Sequence, residues 1–110
     1  MIAAPRLENQ QLDATDEVAT IDVRGLGAVG LQLTGTWVGT VTFEATIDGR
    51  TWVALNMVPS NSATAASTAT AVGAWTANVA GFLLVRARFS TATSGTVVVW
   101  LQGASFSGRF

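Results

Sequence analysis

From Glu17 onward the chain alternates apolar and polar side chains with a period of two and interrupts the pattern at glycines, as short β-strands joined by tight turns do. Val18–Val23 is the first such run. In Val29–Thr34, Val29, Leu31 and Leu33 share one face and Gly30, Gln32 and Thr34 the other, and Gly25-Leu26-Gly27 supplies the turn before it. Val38–Ile47 shows the period most cleanly: Val41, Phe43, Ala45 and Ile47 alternate with Thr42, Glu44 and Thr46, which predicts a half-buried strand. With Thr51–Val58, Ala74–Val79, Phe82–Phe89 and Thr96–Gln102 the chain holds about seven strands and no helical period, so the expected fold is all-β, an antiparallel β-sandwich, jelly-roll or immunoglobulin-like in shape.

Asp48-Gly49 marks a hairpin. Because facing has a period of two, the loop's parity decides which side chains are buried. An odd loop with a glycine bulge at Gly49 aligns Val53, Leu55 and Met57 with Ala45, Phe43 and Val41, whereas a two-residue loop would turn Trp52 inward instead. The odd loop is the expectation. Ser60–Gly73 is built almost entirely of alanine, serine and threonine without a charge, and reads as a surface loop or as a short strand ordered against a neighbour. Residues 1–16, with Pro5 and Asn9-Gln10-Gln11, show neither period and read as an extended N-terminal arm reaching a neighbouring subunit, leaving 17–110 as the single sandwich domain.

Composition narrows the function. Of 110 residues 49% are apolar and only 12% charged, a thin charged coat that implies part of the outside is covered in an assembly. A net charge of −1 and scattered arginines argue against a nucleic-acid partner. No apolar run reaches membrane-spanning length, and the first residues lack the form of a secretory signal, so the expectation is a soluble, unprocessed chain.

Histidine, cysteine, tyrosine and lysine are all missing, which removes most nucleophiles, general bases and zinc ligands. Carboxylates remain. Two of them suffice for glycoside hydrolysis, but Glu44 reads as a solvated strand residue and Asp48 as a turn former. Asp13, Asp16 and Glu17 carry the hard oxygens that calcium takes, at a spacing that matches no calcium loop. The chain is therefore read as a non-enzyme with no cofactor, metal or catalytic residue.

The tryptophans Trp37, Trp52, Trp75 and Trp100 are the main recognition resource. Alternation places Trp52 and Trp100 opposite the core-facing residues of their strands, beside Phe82, Leu84 and Val98, and it puts Arg86 and Arg88 on the side of Phe82 and Leu84. That apolar-to-charged face suits an interface of Trp52, Phe82, Leu84, Arg86, Arg88 and Trp100, with Phe110 added from the C-terminus. An exposed tryptophan in a shallow polar-edged groove would alternatively stack on a sugar, as in a carbohydrate-binding module.

The segments Gly35-Thr36-Trp37-Val38-Gly39-Thr40-Val41-Thr42-Phe43-Glu44, Asp48-Gly49-Arg50-Thr51-Trp52, Gly73-Ala74-Trp75 and Val85-Arg86-Ala87-Arg88 resemble small structural proteins of tailed bacteriophages, either capsid decoration (cement) proteins or tail-associated β-sandwich modules. The resemblance covers roughly residues 18–103. It implies a virion location, a homo-oligomer, most often a trimer, and contact with a major capsid or tail protein. The sugar-binding alternative would belong to a tail fibre or baseplate. No catalytic residue comes with either.

Overall fold

The structure, a computed structural model, describes residues 6–104. Eight strands form one antiparallel sheet: β1 (Arg6–Leu12), β2 (Val18–Asp22), β3 (Ala28–Thr46), β4 (Val53–Ala54), β5 (Val58–Pro59), β6 (Thr68–Ala69), β7 (Gly73–Asn78) and β8 (Leu84–Ala104). The described residues contain no helix. The frame is the pair β3 and β8, which run antiparallel to each other from Ala28↔Ala104 to Thr46↔Leu84. Two runs of alternation that the sequence separates at Gly35 are thus a single strand of 19 residues, and the runs on either side of Gly95 are a single strand of 21.

Neither long strand is straight. The pairing slips between Val38 and Gly39 and again between Thr40 and Val41, so Thr93 and Ser90 of β8 have no Cα partner on β3. One slip would turn the following residues of β8 to the wrong face. Two restore it. Val97, Val99 and Leu101 before the bend in space, and Val85, Ala87 and Phe89 beyond it, all face inward, as do Leu31 and Leu33 with Phe43 and Ala45 on β3. The bulged backbone is satisfied locally: Ser90 Oγ donates to the Thr40 carbonyl at 3.1 Å, and the Ala92 amide donates to Thr15 Oγ1 at 3.1 Å.

The doubled sheet makes two layers. One contains β1, the C-terminal half of β8, the N-terminal half of β3, β7 and β5; the other contains β2, the N-terminal half of β8 and the C-terminal half of β3, with β4 and β6 along its edge. Their inner faces form one core. Phe43 of one layer packs on Trp75 of the other with ring centroids 5.3 Å apart. Burying a side chain such as Phe43, which is fully enclosed, contributes roughly 1.5–3 kcal/mol.

The chain closes both flanks by crossing between layers. After β1 it passes to β2, with the Asp16 amide donating to the Phe89 carbonyl at 2.8 Å, and after β4 it passes to β5 through the enclosed Met57, bridged to Ala66. Leu26, at the tip of the expected turn, plugs the open end, where its Cδ1 lies over the space a side chain at Gly103 would take.

The all-β antiparallel sandwich expected from the sequence is the fold observed, with eight strands. The odd loop is also observed: Ala45 pairs with Val53, Glu44 with Ala54, and the Leu55 amide donates to the Phe43 carbonyl at 2.9 Å. Two side chains depart from their expected facing. Ile47 lies beyond the last paired residue of β3, where the chain turns away, and is 70% exposed; Val53 has the expected register but sits at the sandwich end and is 51% exposed. Within Ser60–Gly73, otherwise largely exposed, the short strand Thr68–Ala69 pairs with the chain's own β3, through Val41↔Ala69 and Thr42↔Thr68. Arg6–Leu12, within the stretch read as an arm, lies along β8 as an edge strand. Residues 1–5 and 105–110, Phe110 among them, lie outside the described residues.

Gly95 has a φ of 81°, and a Cβ there would collide with the Thr36 carbonyl oxygen, whereas Gly25, with a φ of 76°, has open space around the same position. Alanine at Gly25 is expected to cost only the left-handed backbone penalty, about 1 kcal/mol. Gly95→Ala must also displace the backbone of the paired strand and is expected to cost about 3 kcal/mol or more. Denaturant unfolding of the two variants measures the difference, and equal losses would refute the bend geometry.

Candidate functional site

The two outer faces of the sandwich carry different chemistry. On the second layer, register sets Glu44 directly opposite Arg86 and Thr42 opposite Arg88. Arg86 Nε donates to Glu44 Oε1 at 2.7 Å; Arg88 grips the same carboxylate through Nε at 3.3 Å and Nη2 at 3.2 Å, and reaches Asp16 Oδ1 through Nη1 at 2.8 Å. The guanidinium of Arg86 also lies 4.0 Å from the centre of the Trp52 ring, a cation–π contact. Burial by itself would push the Glu44 carboxyl up, but hydrogen bonds from Arg88 and Arg86 outweigh it and hold the group below its ordinary range. Hydrogen bonds to Glu44 and then Asp16 raise Arg88 in turn. This face is charged and internally matched.

Two acidic side chains near the chain crossing are already partnered. Glu17 Oε1 accepts from the Asp13 amide at 2.8 Å and the Ala14 amide at 3.1 Å, which lowers its titration, and Asp16 faces Arg88. Among the described residues no group of three or more acidic side chains is placed to hold a metal ion. Asp48 organises the hairpin loop. Its Oδ1 accepts from the amides of Thr51 at 2.7 Å and Arg50 at 2.8 Å and from Thr46 Oγ1 at 3.0 Å, and those bonds hold its carboxyl down to about 2.

On the first layer the outer face carries no charged side chain among the described residues. The row Thr76, Gly30, Gln102 and the row Ala74, Gln32, Trp100 run side by side across β7, β3 and β8, and together they line a shallow groove of about 280 Å³. Trp100 is 38% exposed at its edge. At the sandwich end, Ile47, Val53 and Phe82 line a second, apolar recess with Thr46, Asp48 and Thr51.

The fold has solved counterparts. It is similar to the SPBc2 prophage-derived protein YomS, with a TM-score of 0.81 and 16% identity over 96% of this chain and 98% of that one. It is similar also to the PBSX exported protein XepA, with a TM-score of 0.78 and 21% identity over 96% of this chain; here the chain spans 40% of the other's length. A de novo designed double-stranded β-helix matches at a TM-score of 0.50 and 13% identity, covering 89% of this chain and 97% of that one. No protein-family model and no curated protein sequence matches the chain. At these identities the likeness is one of fold.

The residues singled out from the sequence fall into separate places. Trp52, Arg86 and Arg88 come together on the charged outer face, with the half-buried Leu84 two residues before Arg86 on the same strand. Phe82 lies in the turn before β8 and packs against the core edge, and Trp100 stands on the other layer's outer face. Sequence reasoning missed the neutral groove. Its visible trace is the shared parity of Gly30 and Gln32, and of Trp100 and Gln102, but only the pairing of β3 with β8 and β7 joins them.

Glu44→Gln keeps one acceptor oxygen but removes the charge and replaces the second acceptor with a donor amide facing the half-buried Arg88, so it is expected to cost roughly 1–3 kcal/mol at neutral pH. Carboxylates lowered in the folded state stabilise it above their unfolded values, and that contribution is lost as the pH falls through the folded value. For Asp48 the window runs from 3.8 down to about 2. Asp48→Asn, which keeps the acceptor oxygen, should therefore flatten the acid limb of a stability–pH curve; an unchanged limb would contradict the assignment.

Proposed function

We propose that the chain is a non-enzymatic structural subunit of a bacteriophage virion, a capsid decoration protein held in place by contacts among its own copies, as a trimer, and with a major capsid or tail protein. The observation that carries the reading is the near end-to-end correspondence of fold with a prophage-derived protein. Three physical features support it.

First, the charged side chains are few and several of them are already matched: Arg24 pairs with Asp22, Arg86 with Glu44, and Arg88 with Glu44 and Asp16. Such a surface has little to offer a phosphate backbone. Second, Glu44 and Asp48, the carboxylates best placed for hydrolytic chemistry, are committed to arginines and to backbone amides. Third, the recess of Ile47, Val53 and Phe82 exposes apolar side chains beside polar ones, as subunit contacts do. The doubled sheet presents that recess on a rigid frame, so association need order little more than side chains.

Sedimentation equilibrium of the purified chain tests the reading. An oligomer at micromolar concentration is expected, reduced to monomer by Ile47→Asp combined with Val53→Asp while the β-sheet spectrum is retained. The native chain should also co-sediment with undecorated capsids. A stable monomer that ignores capsids would contradict the proposal.

A further inference from the structure

We propose that the outer groove of the first layer binds a neutral glycan built of β-linked hexopyranoses, stacked on Trp100. The argument rests on what the face contains. From β1 to β7 the outward positions Asn9, Gln11, Val98, Trp100, Gln102, Gly30, Gln32, Thr34, Ala74 and Thr76 include no charged residue, although the opposite outer face carries Glu44, Arg86 and Arg88. A face without charge repels no neutral ligand and recruits no ionic one.

The polar groups at the groove are unengaged. Among the described residues, the side chains of Gln32, Gln102 and Thr76 make no hydrogen bond, unlike the matched groups of the other layer. Each amide offers a donor pair and an acceptor on one head and the threonine adds a hydroxyl, which is the equipment that neighbouring sugar hydroxyls require. Trp100 supplies the apolar half of the recognition. A hexopyranose with equatorial hydroxyls presents a flat face of C–H groups, and a partly exposed indole fixed in a central strand can take that face without ordering a loop.

Gly30 shapes the floor. It carries no positive φ, and a Cβ there would meet nothing closer than the Gln102 carbonyl oxygen at 3.9 Å, so neither backbone nor packing demands glycine. Lacking a side chain, it leaves the strip between Thr76 and Gln102 open. A volume of about 280 Å³ lies just below the range of enclosed small-ligand sites, about 300 to 1,000 Å³, and the groove is open to solvent, so a chain of sugars can pass through it. The inference does not depend on the capsid reading, because the groove and the apolar recess involve different residues.

The test titrates the native chain with cellohexaose and with chitohexaose, following the indole N–H signals by NMR. Saturable movement of the Trp100 signal at sugar concentrations of about 1 mM or below is expected with at least one of them. Trp100→Ala, compared with the native chain by titration calorimetry, should weaken binding by about tenfold or more. Gly30→Thr should abolish binding without lowering the unfolding midpoint, since a β-branched residue suits a central strand; it separates a filled groove from a damaged fold. A C6-oxidised cello-oligosaccharide, with the same β-linked rings but a carboxylate on each residue, should bind at least about tenfold more weakly. Three results would overturn the proposal: no movement of Trp100 with either sugar, full affinity in Gly30→Thr, or movement of Trp100 with the chain's own concentration alone, which would assign the groove to a second copy.

Discussion

The structure depends on the pairing of β3 with β8. Two long antiparallel strands, bent together and slipped twice by one residue, keep the same parity of side chains facing inward on both sides of the bend. A chain of this length without disulfides has to bury most of its apolar surface in one place, and a sheet doubled on itself does so with a single continuous hydrogen-bonded frame. The remaining strands are additions to that frame. β1 and β2 lie along β8, β7 along β3, and the two crossings between layers close the flanks.

Because the inner faces are sealed by the chain itself, function belongs to what remains outside. The second layer's outer face is a matched set in which Glu44 holds two arginines and one of these lies over Trp52; such a set stabilises the layer and has few free valences for a partner. The first layer's outer face is the opposite case. Its amides and hydroxyl are unengaged, its tryptophan is partly exposed, and its central glycine leaves space. The apolar recess at the end of the sandwich is a third surface, distinct from both. The proposed subunit contact and the proposed glycan site thus use different residues.

Much of this was legible in the sequence, where local pattern carried it. The period of two in Val29–Thr34 and Val38–Ile47 reported the buried face, and the parity argument at Asp48-Gly49 fixed the hairpin register that the structure has. What was not legible depends on contacts between distant segments. Gly35 and Gly95 look like strand breaks, yet both occur inside continuous strands, because a glycine with positive φ can bend a paired strand as readily as end it. Arg6–Leu12 has no readable alternation, since Leu12 is the one residue of its described side chains that reaches the core and backbone pairing with β8 does the ordering. Arg86 and Arg88 read as a charged rim because their shared partner, Glu44, lies more than forty residues away. The neutral groove is likewise a product of pairing across three strands.

The central claim is that the two layers are one cooperative unit held by the β3–β8 frame. Native-state hydrogen exchange measured against denaturant tests it most directly, by comparing the amides of Leu31 and Leu33 in one layer with those of Thr42 and Glu44, opposite Arg88 and Arg86 of β8, in the other. The account predicts that all four exchange only through global unfolding, with one shared free energy. A layer whose amides open at a distinctly lower free energy while the other stays protected would contradict it.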